Sequence, residues 1–445
     1  MSRKGTWCKF LAILLVLVLL VPILAACGDD DEEATPTPVA TTPAATKPVA
    51  TVPAATIPAV TTPAATTPSV TTSDKPVKVG AVFSWSGYGA AASYLADATI
   101  ELVNHQVKQR GGVKVGNVMR PLDIIKYDMK SDVAGATQAA TKAITQDNCV
   151  GLTFGGLTGA DGLAVSAVAK NYNVLYSHFM GDASINTDYT NTLNAVLSMQ
   201  ANIVPCTSFA LEVLKPKTVA FIANDSSMER MIIDGQQKIM EAAGVKTVLK
   251  TFYQSSTTDF APILTKVKYE APDLVIAYAS LGQYKAILKQ MPELGGWGNI
   301  KFMGASQSSG GTGVITAPGS DGMYVSAYWD YSISNPGSDY WVNSWKAYAA
   351  DHPDWAKKNG DVPSINILPF YQCLWGVINA VEFAGSDDPA AVTKAARSGK
   401  LTFESPAGKV TWDTSGLSNQ TILIGKVTSG KTQILRTYAE SPLVK

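Results

Sequence analysis

Residues 425–432 have the sequence Gly-Lys-Val-Thr-Ser-Gly-Lys-Thr, which matches the phosphate-binding P-loop pattern letter by letter. A P-loop needs a strand before it and a helix after it, so that backbone amides converge on the phosphate. Residues 421–424 are typical of a strand, but residues 432–438 are also rich in β-forming types. We therefore predict that residues 428–431 are the turn of a β-hairpin and bind no nucleotide.

Other residue types suited to catalysis or metal binding are sparse. The histidines are His105, His178 and His352, none paired at metal-binding spacing, and no Gly-x-Ser-x-Gly elbow occurs. Two carboxylates could meet in a cleft as general acid and base, but nothing in the sequence requires it. The sequence predicts a protein that is not an enzyme and that uses no cofactor or metal.

The cysteines fall into two groups. Cys8 and Cys27 lie near the N-terminus, whereas Cys149, Cys206 and Cys373 are spread along the chain at spacings that fit no metal motif. We expect these three to be small buried hydrophobic residues, with one disulfide as the alternative.

The N-terminus has the pattern of a bacterial lipoprotein signal. Basic residues precede an apolar run at 10–21, and Leu24-Ala25-Ala26 lies directly before Cys27. We predict a signal peptide over residues 1–26, cleaved before Cys27, whose thiol then carries lipid. An uncleaved membrane helix is the alternative, although the run is short for ~30 Å of hydrocarbon. Either way, the chain is expected outside the cytoplasm, attached to the bacterial cell membrane.

Residues 27–74 are predicted to be a tether. An acidic patch at 29–33 precedes a stretch of Thr, Pro, Ala and Val with Pro-Ala-Ala-Thr units at Pro43, Pro53 and Pro63. Such a stretch has too few large apolar groups to form a core. As an extended polyproline chain it would reach on the order of 100 Å. It is either a spacer or a solubilising, glycosylated stalk, or both.

The remaining residues, 75–445, exceed the usual size of a single core and predict two lobes. Lys and Arg total 36, as do Asp and Glu, and no basic stripe is present, so nucleic acid is not an expected partner. Strand and helix patterns alternate, which predicts an α/β fold with two doubly wound, Rossmann-like lobes. The predicted strands are 77–83, 122–127, 150–154, 174–176, 218–223, 246–252 and 274–278. The predicted helices are 89–110, 134–146, 162–172, 203–214, 228–243 and 260–269.

Parallel sheets bind ligands outside the carboxyl ends of their strands. The loops after Phe83, Phe154, Tyr176, Ala223, Tyr278 and Met303 are therefore the predicted site.

A series of short segments occurs in a characteristic order. The segments are Lys78-Val-Gly-Ala-Val-Phe-Ser-Trp-Ser-Gly87, Gly111-Gly112-Val113, Tyr127-Asp128, Gly155-Gly156, Val219-Ala-Phe-Ile222, Asp273-Leu-Val-Ile-Ala-Tyr278, Phe302-Met303-Gly304, Asp321-Gly-Met-Tyr-Val325 and a late helix at 369–384. Together, in this order, they resemble the branched-chain amino-acid-binding proteins, the leucine/isoleucine/valine-type receptors of ABC transporters.

The resemblance implies the type I periplasmic-binding fold, in which a three-strand hinge joins the lobes. It places lobe 1 at 75–198 plus 328–411 and lobe 2 at 199–327 plus 412–445. The crossings are then expected near Leu197, Ala327 and Trp412. A ligand between the lobes would draw them closed.

The resemblance also implies ligand positions in the first lobe. Trp85, Ser86 and Tyr88 follow the first strand, and Gly159, Ala160 and Asp161 begin a helix whose N-terminus suits a carboxylate. Relatives have a hydroxyl there that in this chain is either missing or displaced to Thr158. Asp161 is either a ligand contact or a helix cap. Met180 and Asp182 follow the next strand, with Asp182 the best local partner for a cationic group. Trp329, near a crossing, is predicted to be core, with contact to the cleft as the alternative.

The second lobe departs further from the relatives. They carry an acidic residue after the Phe-Met-Gly strand, where this chain has Ser306 and Gln307, and often a tyrosine where it has Met228. Leu281 and Gln283 follow the Tyr278 strand. A neutral residue cannot offset a buried ammonium group. The ligand is therefore either a branched-chain amino acid whose charge is met by Asp161 or Asp182, or an amide, a urea-like compound or an apolar or aromatic acid.

Taken together, the sequence predicts a monomeric, lipid-anchored, extracytoplasmic binding protein. It would capture a small organic ligand and deliver it to the permease subunits of an ABC transporter. A ligand-sensing module for a membrane receptor is the alternative.

Overall fold

The computed structural model describes residues 71–155, 159–180, 185, 188–196 and 199–438. The predicted signal peptide, Cys27, most of the tether and Asp182 lie outside the described residues, as does the side chain of Tyr88.

The described strands are, in chain order, β1 Thr71–Thr72, β2 Val77–Phe83, β3 Val113–Val115, β4 Val118–Arg120, β5 Leu122–Asp128, β6 Gly151–Phe154, β7 Leu175–His178, β8 Thr192–Asn194, β9 Thr218–Asn224, β10 Lys246–Tyr253, β11 Leu274–Tyr278, β12 Lys301–Gly304, β13 Tyr324–Ala327, β14 Thr402–Ser405, β15 Gly408–Trp412, β16 Ser418–Asn419, β17 Ile422–Thr428 and β18 Lys431–Tyr438. Each of the seven predicted strands is present, with ends within two residues of the prediction.

The described α-helices are α1 Ser93–Gln109, α2 Val133–Thr145, α3 Gly159–Asn171, α4 Ile203–Phe209, α5 Ser227–Ala242, α6 Ala261–Glu270, α7 Leu281–Glu293, α8 Thr312–Ile315, α9 Pro336–Asp351, α10 Pro353–Asn359, α11 Leu368–Ala384 and α12 Pro389–Ala396. The predicted helix 89–110 begins with a 3₁₀ turn, Tyr88–Ala92, and the predicted helix 203–214 ends in a π turn, Ala210–Leu214.

The first large sheet is parallel throughout, in the order β5-β2-β6-β7-β8. Strands β2, β6, β7 and β8 are almost entirely buried on both faces, as expected when helices cover both sides. One face packs against α1, α9 and α11 in a core that includes Phe83, Trp341 and Trp412. The other face packs against α2 and α3 around Leu152 and Tyr176.

The second large sheet has the order β10-β9-β11-β12-β13-β17-β18. The strands from β10 to β13 pair in parallel, whereas β17 and β18 pair antiparallel at the edge. Helices α4 and α5 cover one face and α6 and α7 the other. The predicted α/β class with two doubly wound sheets is confirmed.

The P-loop-like motif is a hairpin, as predicted. Strands β17 and β18 pair from Ile422↔Tyr438 to Thr428↔Lys431. Ser429 and Gly430 have φ of 51° and 71°, the positive values that a tight hairpin turn between twisted strands requires. A strand therefore follows the motif where phosphate binding would need a helix.

The third crossing lies later than predicted. Trp412 is fully buried in the core of the first sheet, and its indole N–H donates to the Asn194 carbonyl at 2.9 Å. Leu417 forms a parallel bridge with Asn194. Residues 412–419 therefore belong with the first sheet, and the chain crosses at residues 420–421, immediately before β17.

The last residues of the predicted tether are part of the fold. Strand β1 pairs in parallel with β4, and the Ser73 N–H donates to the Met119 carbonyl at 3.0 Å. Threonine favours extended backbone, which explains why the chain joins the sheet before Lys75.

The segment Ile365–Ala384 is long and apolar enough to cross a membrane by length and composition alone, but 72% of its most apolar window is buried inside the protein. We interpret it as the core helix of the first lobe. Cys149, Cys206 and Cys373 are free and buried, which confirms the prediction that they are small core residues.

Candidate functional site

The site loops lie at the carboxyl ends of two parallel sheets. Strands β2, β6 and β7 end at Phe83, Phe154 and His178, and strands β9, β11 and β12 end at Asn224, Tyr278 and Gly304. Because parallel strands end at one edge, each sheet places its loops side by side.

The loop after β2 is held by the last residue of the neighbouring strand β5. Asp128 Oδ1 accepts the backbone N–H groups of Trp85 and Ser86 at 3.0 and 3.2 Å, and Asp128 Oδ2 accepts the Ser86 hydroxyl at 2.6 Å. The indole N–H of Trp85 donates to Asp97 on α1 at 2.9 Å. The polar groups of Trp85 and Ser86 therefore position the loop, and Trp85 packs beside Phe83 with ring centroids 5.9 Å apart.

Burial opposes ionisation of Asp128, but the hydrogen bonds from Ser86, Lys130 and Trp85 outweigh it, so the pKa of Asp128 is lower than its ordinary value. A lowered carboxyl pKa stabilises the fold above the unfolded pKa of about 4, and this contribution is lost as the pH falls through the folded pKa.

We expect Asp128→Asn to lower the free energy of unfolding by about 1 kcal/mol at pH 7, since the carboxylate is exposed and screened by solvent. The difference from the natural protein should shrink below pH 4. Urea denaturation at pH 7 and pH 3 measures both values, with the exposed Asp361→Asn as control. A difference that is the same at both pH values would contradict the assignment.

The loop after β6 has an unusual backbone. Phe154 and Gly155 have φ of 80° and 84°, values that residues other than glycine rarely adopt. A Cβ added at Gly155 would lie 1.7 Å from the hydroxyl oxygen of Tyr176, so only glycine fits. Strained backbone of this kind is often found at ligand sites.

Helix α3 begins directly after this loop. Gly159 and Ala160 are exposed at its start, where free backbone N–H groups and the positive end of the helix dipole suit an anionic ligand group. Asp161 lies in the first turn of α3 and is 2% exposed. Its carboxylate is therefore buried within the lobe, close to this end of the helix.

The loop after β7 begins with a buried segment. Met180 is 6% exposed, and its side chain lies against Gly162 of α3, at which an added Cβ would lie 2.8 Å from Met180 Cγ. The Met180 carbonyl accepts the Asn194 side-chain amide at 2.9 Å. Met180 thus connects α3 to strand β8.

An aromatic cluster at the same edge of the sheet escaped the sequence analysis. Phe83 and Phe370 contact each other, and each also contacts Phe154 and Phe179. Ring centroids are 4.6 Å apart for Phe179 and Phe370 and 5.2 Å apart for Phe83 and Phe370. Phe179 is only partly buried, whereas the other three are buried. The sequence signal that could have identified these residues is that each lies at or next to the end of a strand or the start of a helix.

In the second lobe, the loop after β9 contains Ser226, the N-cap residue of α5. The Ser226 hydroxyl accepts the Glu229 N–H and donates to the Glu229 carboxylate. Met228 lies in the first turn of α5, partly buried against the core. After β11, Ser280 and Gln283 form a reciprocal capping box at the start of α7. Leu281 is the first residue of that helix.

After β12, the side chains of Ser306 and Gln307 differ in their hydrogen bonding. The Ser306 hydroxyl donates to the Ala279 carbonyl at 2.9 Å and lies 3.0 Å from the Tyr284 hydroxyl, so its bonds are made inside the lobe. The Gln307 Nε2 is buried and has no hydrogen-bond partner within the described structure. An unmatched buried donor costs about 1–3 kcal/mol. This amide therefore lacks an acceptor at the edge where ligands of parallel sheets bind.

Trp329 is core. It is 2% exposed, its indole N–H donates to Ser338 at 2.9 Å, and its ring lies 4.9 Å from that of Trp341.

A surface depression of about 810 Å³ lies at the opposite edge of the first sheet, lined among others by Lys75, Lys78, Val150 and Val174. These residues lie before or at the start of strands β2, β6 and β7 and not after them, so the depression is not at the predicted site.

Comparison with known proteins identifies the fold and the family. The family model described as "Periplasmic binding protein" matches residues 76–432. A leucine-, isoleucine-, valine-, threonine- and alanine-binding protein of Pseudomonas aeruginosa is 25% identical over 210 residues, 47% of this chain and 52% of that protein. The chain thus spans about half the length of that relative.

Two solved structures share the fold. A solute-binding protein of an ABC transporter from Rhodopseudomonas palustris, in complex with 3,4-dihydroxybenzoic acid, has a TM-score of 0.69 and 19% identity over 82% of this chain and 98% of that one. A branched-chain amino acid transporter substrate-binding protein from Streptococcus pneumoniae, in complex with isoleucine, has a TM-score of 0.67 and 17% identity over 82% and 100% of the two chains. The match over residues 76–432, with the two parallel sheets and their aligned loops, establishes that the chain belongs to the periplasmic binding protein family, a family of extracytoplasmic solute-binding proteins, and has the type I fold.

Proposed function

We propose that this protein is the lipid-anchored receptor of an ABC transporter and that its ligand is a small carboxylic acid with a flat apolar body. The acid would be held between the lobes, which close on it, and passed to the permease subunits. The unmatched amide of Gln307 carries the proposal, because its donor calls for an acceptor oxygen at the carboxyl end of β12.

The aromatic cluster supports a flat ligand body. Phe179 leaves part of its ring exposed above Phe83, Phe154 and Phe370 at the edge where ligands are expected. Aromatic rings pack well against one another in offset or edge-to-face contact, worth about 0.5–1.5 kcal/mol beyond area burial.

The second lobe also lacks a carboxylate at the position where the resemblance implies one that neutralises an ammonium group. Ser306 is bonded internally and Gln307 is neutral. An amino-acid ligand would need Asp161 or Asp182 of the first lobe to take that role. Both ligand classes occur among proteins of this fold, with 3,4-dihydroxybenzoic acid in one and isoleucine in another.

The test is calorimetric titration of the purified protein with benzoate, 4-hydroxybenzoate, benzamide, urea, leucine and isoleucine. Benzoate or its hydroxyl derivative is expected to bind. Gln307→Ala should weaken that binding about tenfold or more, as for a lost hydrogen bond to a charged group. The matched control is Gln237→Ala, a glutamine on α5 that donates to Glu241 at 2.8 Å.

Phe179→Leu should weaken the binding of aromatic acids more than the binding of aliphatic acids of similar size. Binding of isoleucine or leucine without benzoate would overturn the proposed ligand and assign the ammonium to Asp161 or Asp182. Equal losses in the Gln307 and Gln237 variants would remove Gln307 from the site.

A further inference from the structure

A buried glutamine joins two of the segments that connect the lobes. Gln420 is 3% exposed at the third crossing, and its Nε2 donates to the Ala195 carbonyl at 2.8 Å and to the Ser418 hydroxyl at 2.9 Å. Ala195 follows β8, where the chain leaves the first sheet. This hydrogen bond therefore links one crossing to another.

A second buried glutamine links this bond to the aromatic cluster. The Gln372 Nε2 donates to Gln420 Oε1 at 3.2 Å and to the Ser405 hydroxyl at 2.5 Å. Gln372 is fully buried on α11, two residues after Phe370. The pair of amide side chains thus connects α11 to the third crossing.

Asn194 links the first crossing to the loop after β7. Its side chain donates to the Met180 carbonyl at 2.9 Å and accepts the Val196 N–H at 3.2 Å, and its backbone N–H donates to the Gly416 carbonyl at 2.8 Å. The residue is fully buried. Two elements of the proposed site, the β7 loop and the start of α11, therefore reach the crossings through amide side chains.

We infer that Gln420, Gln372 and Asn194 are positioning residues that set the equilibrium between open and closed lobes, an inference that rests on the proposed function for the closure itself. We expect closure to change the backbone at the crossings and thereby to strain the Gln420–Ala195 bond or to exchange its partners. Buried hydrogen bonds of this kind are strong because few waters compete for them. Such a network favours discrete arrangements over continuous bending.

The first experiment needs no ligand. Hydrogen exchange of the full-length protein, followed by mass spectrometry, compares the natural chain with Gln420→Met, which keeps the side-chain volume. Exchange is expected to rise about tenfold or more in peptides covering 178–180, 192–196 and 418–421, while peptides from α2 and α6 are unchanged. The matched control is Gln236→Met, the same substitution at a fully buried glutamine of α5 that is not part of this hydrogen-bond network.

Unchanged exchange at the crossings, or a uniform rise through both lobes, would overturn the inference, since the second result marks a purely structural role. Gln372→Met and the double variant complete a mutant cycle. If the two glutamines act as one unit, the change in exchange in the double variant should differ from the sum of the changes in the single variants. A change equal to that sum would overturn the coupling.

Benzoate titration gives the functional readout. Gln420→Met should raise the apparent Kd about tenfold, because the fraction of the binding-competent arrangement falls although no ligand contact is removed. An unchanged Kd would overturn the link to closure. If the natural protein does not bind benzoate, the proposed ligand fails, whereas the exchange experiment still decides the hinge network.

Discussion

Gly155→Ala is expected to lower the free energy of unfolding by on the order of 4 kcal/mol and to abolish ligand binding in any molecules that still fold. The new Cβ would lie 1.7 Å from the Tyr176 hydroxyl oxygen and 3.0 Å from the adjoining ring carbon, with φ fixed near 84°. Tyr176 is fully buried in the core beneath α2 and α3, so its ring has no space into which to move. Urea denaturation measures the change.

Gly159→Ala is the matched control for stability, because it lies in the same connection and an added Cβ there meets nothing within 4 Å. Its effect should be within about 0.5 kcal/mol, as for exposed helix positions. A Gly155→Ala variant within 1 kcal/mol of the natural protein would show that the loop after β6 relaxes freely, and the strain argument would fail.

Arg120→Met is expected to destabilise the protein by about 2–4 kcal/mol, because it removes a buried guanidinium that makes several bonds at once. Arg120 donates to the carbonyls of Lys75 and Pro76 at 2.8 and 3.0 Å and to Asp387 at 2.8 Å, and its side chain is 8% exposed. These bonds fix the start of the folded domain to the loop between α11 and α12. Thermal and urea unfolding measure the loss.

The pH dependence gives a second readout for the same variant. Hydrogen bonding to Arg120 is the main cause that lowers the pKa of Asp387, opposed by burial and assisted by Lys75. The stabilisation is therefore present above the unfolded pKa of about 4 and is lost as the pH falls through the folded pKa. The destabilisation caused by Arg120→Met should be smaller at pH 3 than at pH 7.

The control is Arg230→Met, which breaks an exposed pair with Asp225 at 2.7 Å and should change stability little. Equal effects in the two arginine variants would mean that the junction at Lys75 contributes no more than an ordinary surface pair.

The periodic parts of this fold could be predicted from the sequence, and the errors have physical causes. Runs such as Leu274–Tyr278 are apolar throughout and flanked by helical patterns, which identifies a buried parallel strand. Residues 408–428 contain three strands separated by short connections, so nothing local tells which sheet each strand joins. Trp412 was placed in the wrong lobe because its partner, Asn194, lies far away in sequence.

The site was predictable as a set of loops but not as a set of contacts. Ser306 is at the expected strand end, yet its hydroxyl bonds within the lobe through Tyr284, a pairing that depends on how α7 packs. The aromatic cluster brings together Phe83 and Phe370, which are separated by most of the chain, and only the crossing topology unites them. By contrast, the β17–β18 turn was predictable because its signal is local.

The interleaving of the two lobes has a consequence for how the chain is made. The core of the first sheet includes residues from Val77 to Trp412, and that of the second includes residues from Ala201 to Ile424. A chain synthesised from its N-terminus therefore completes neither core until nearly its whole length is available. Long-range pairing of this kind folds slowly. We expect this topology to keep the growing polypeptide unfolded for longer than two lobes encoded one after the other would.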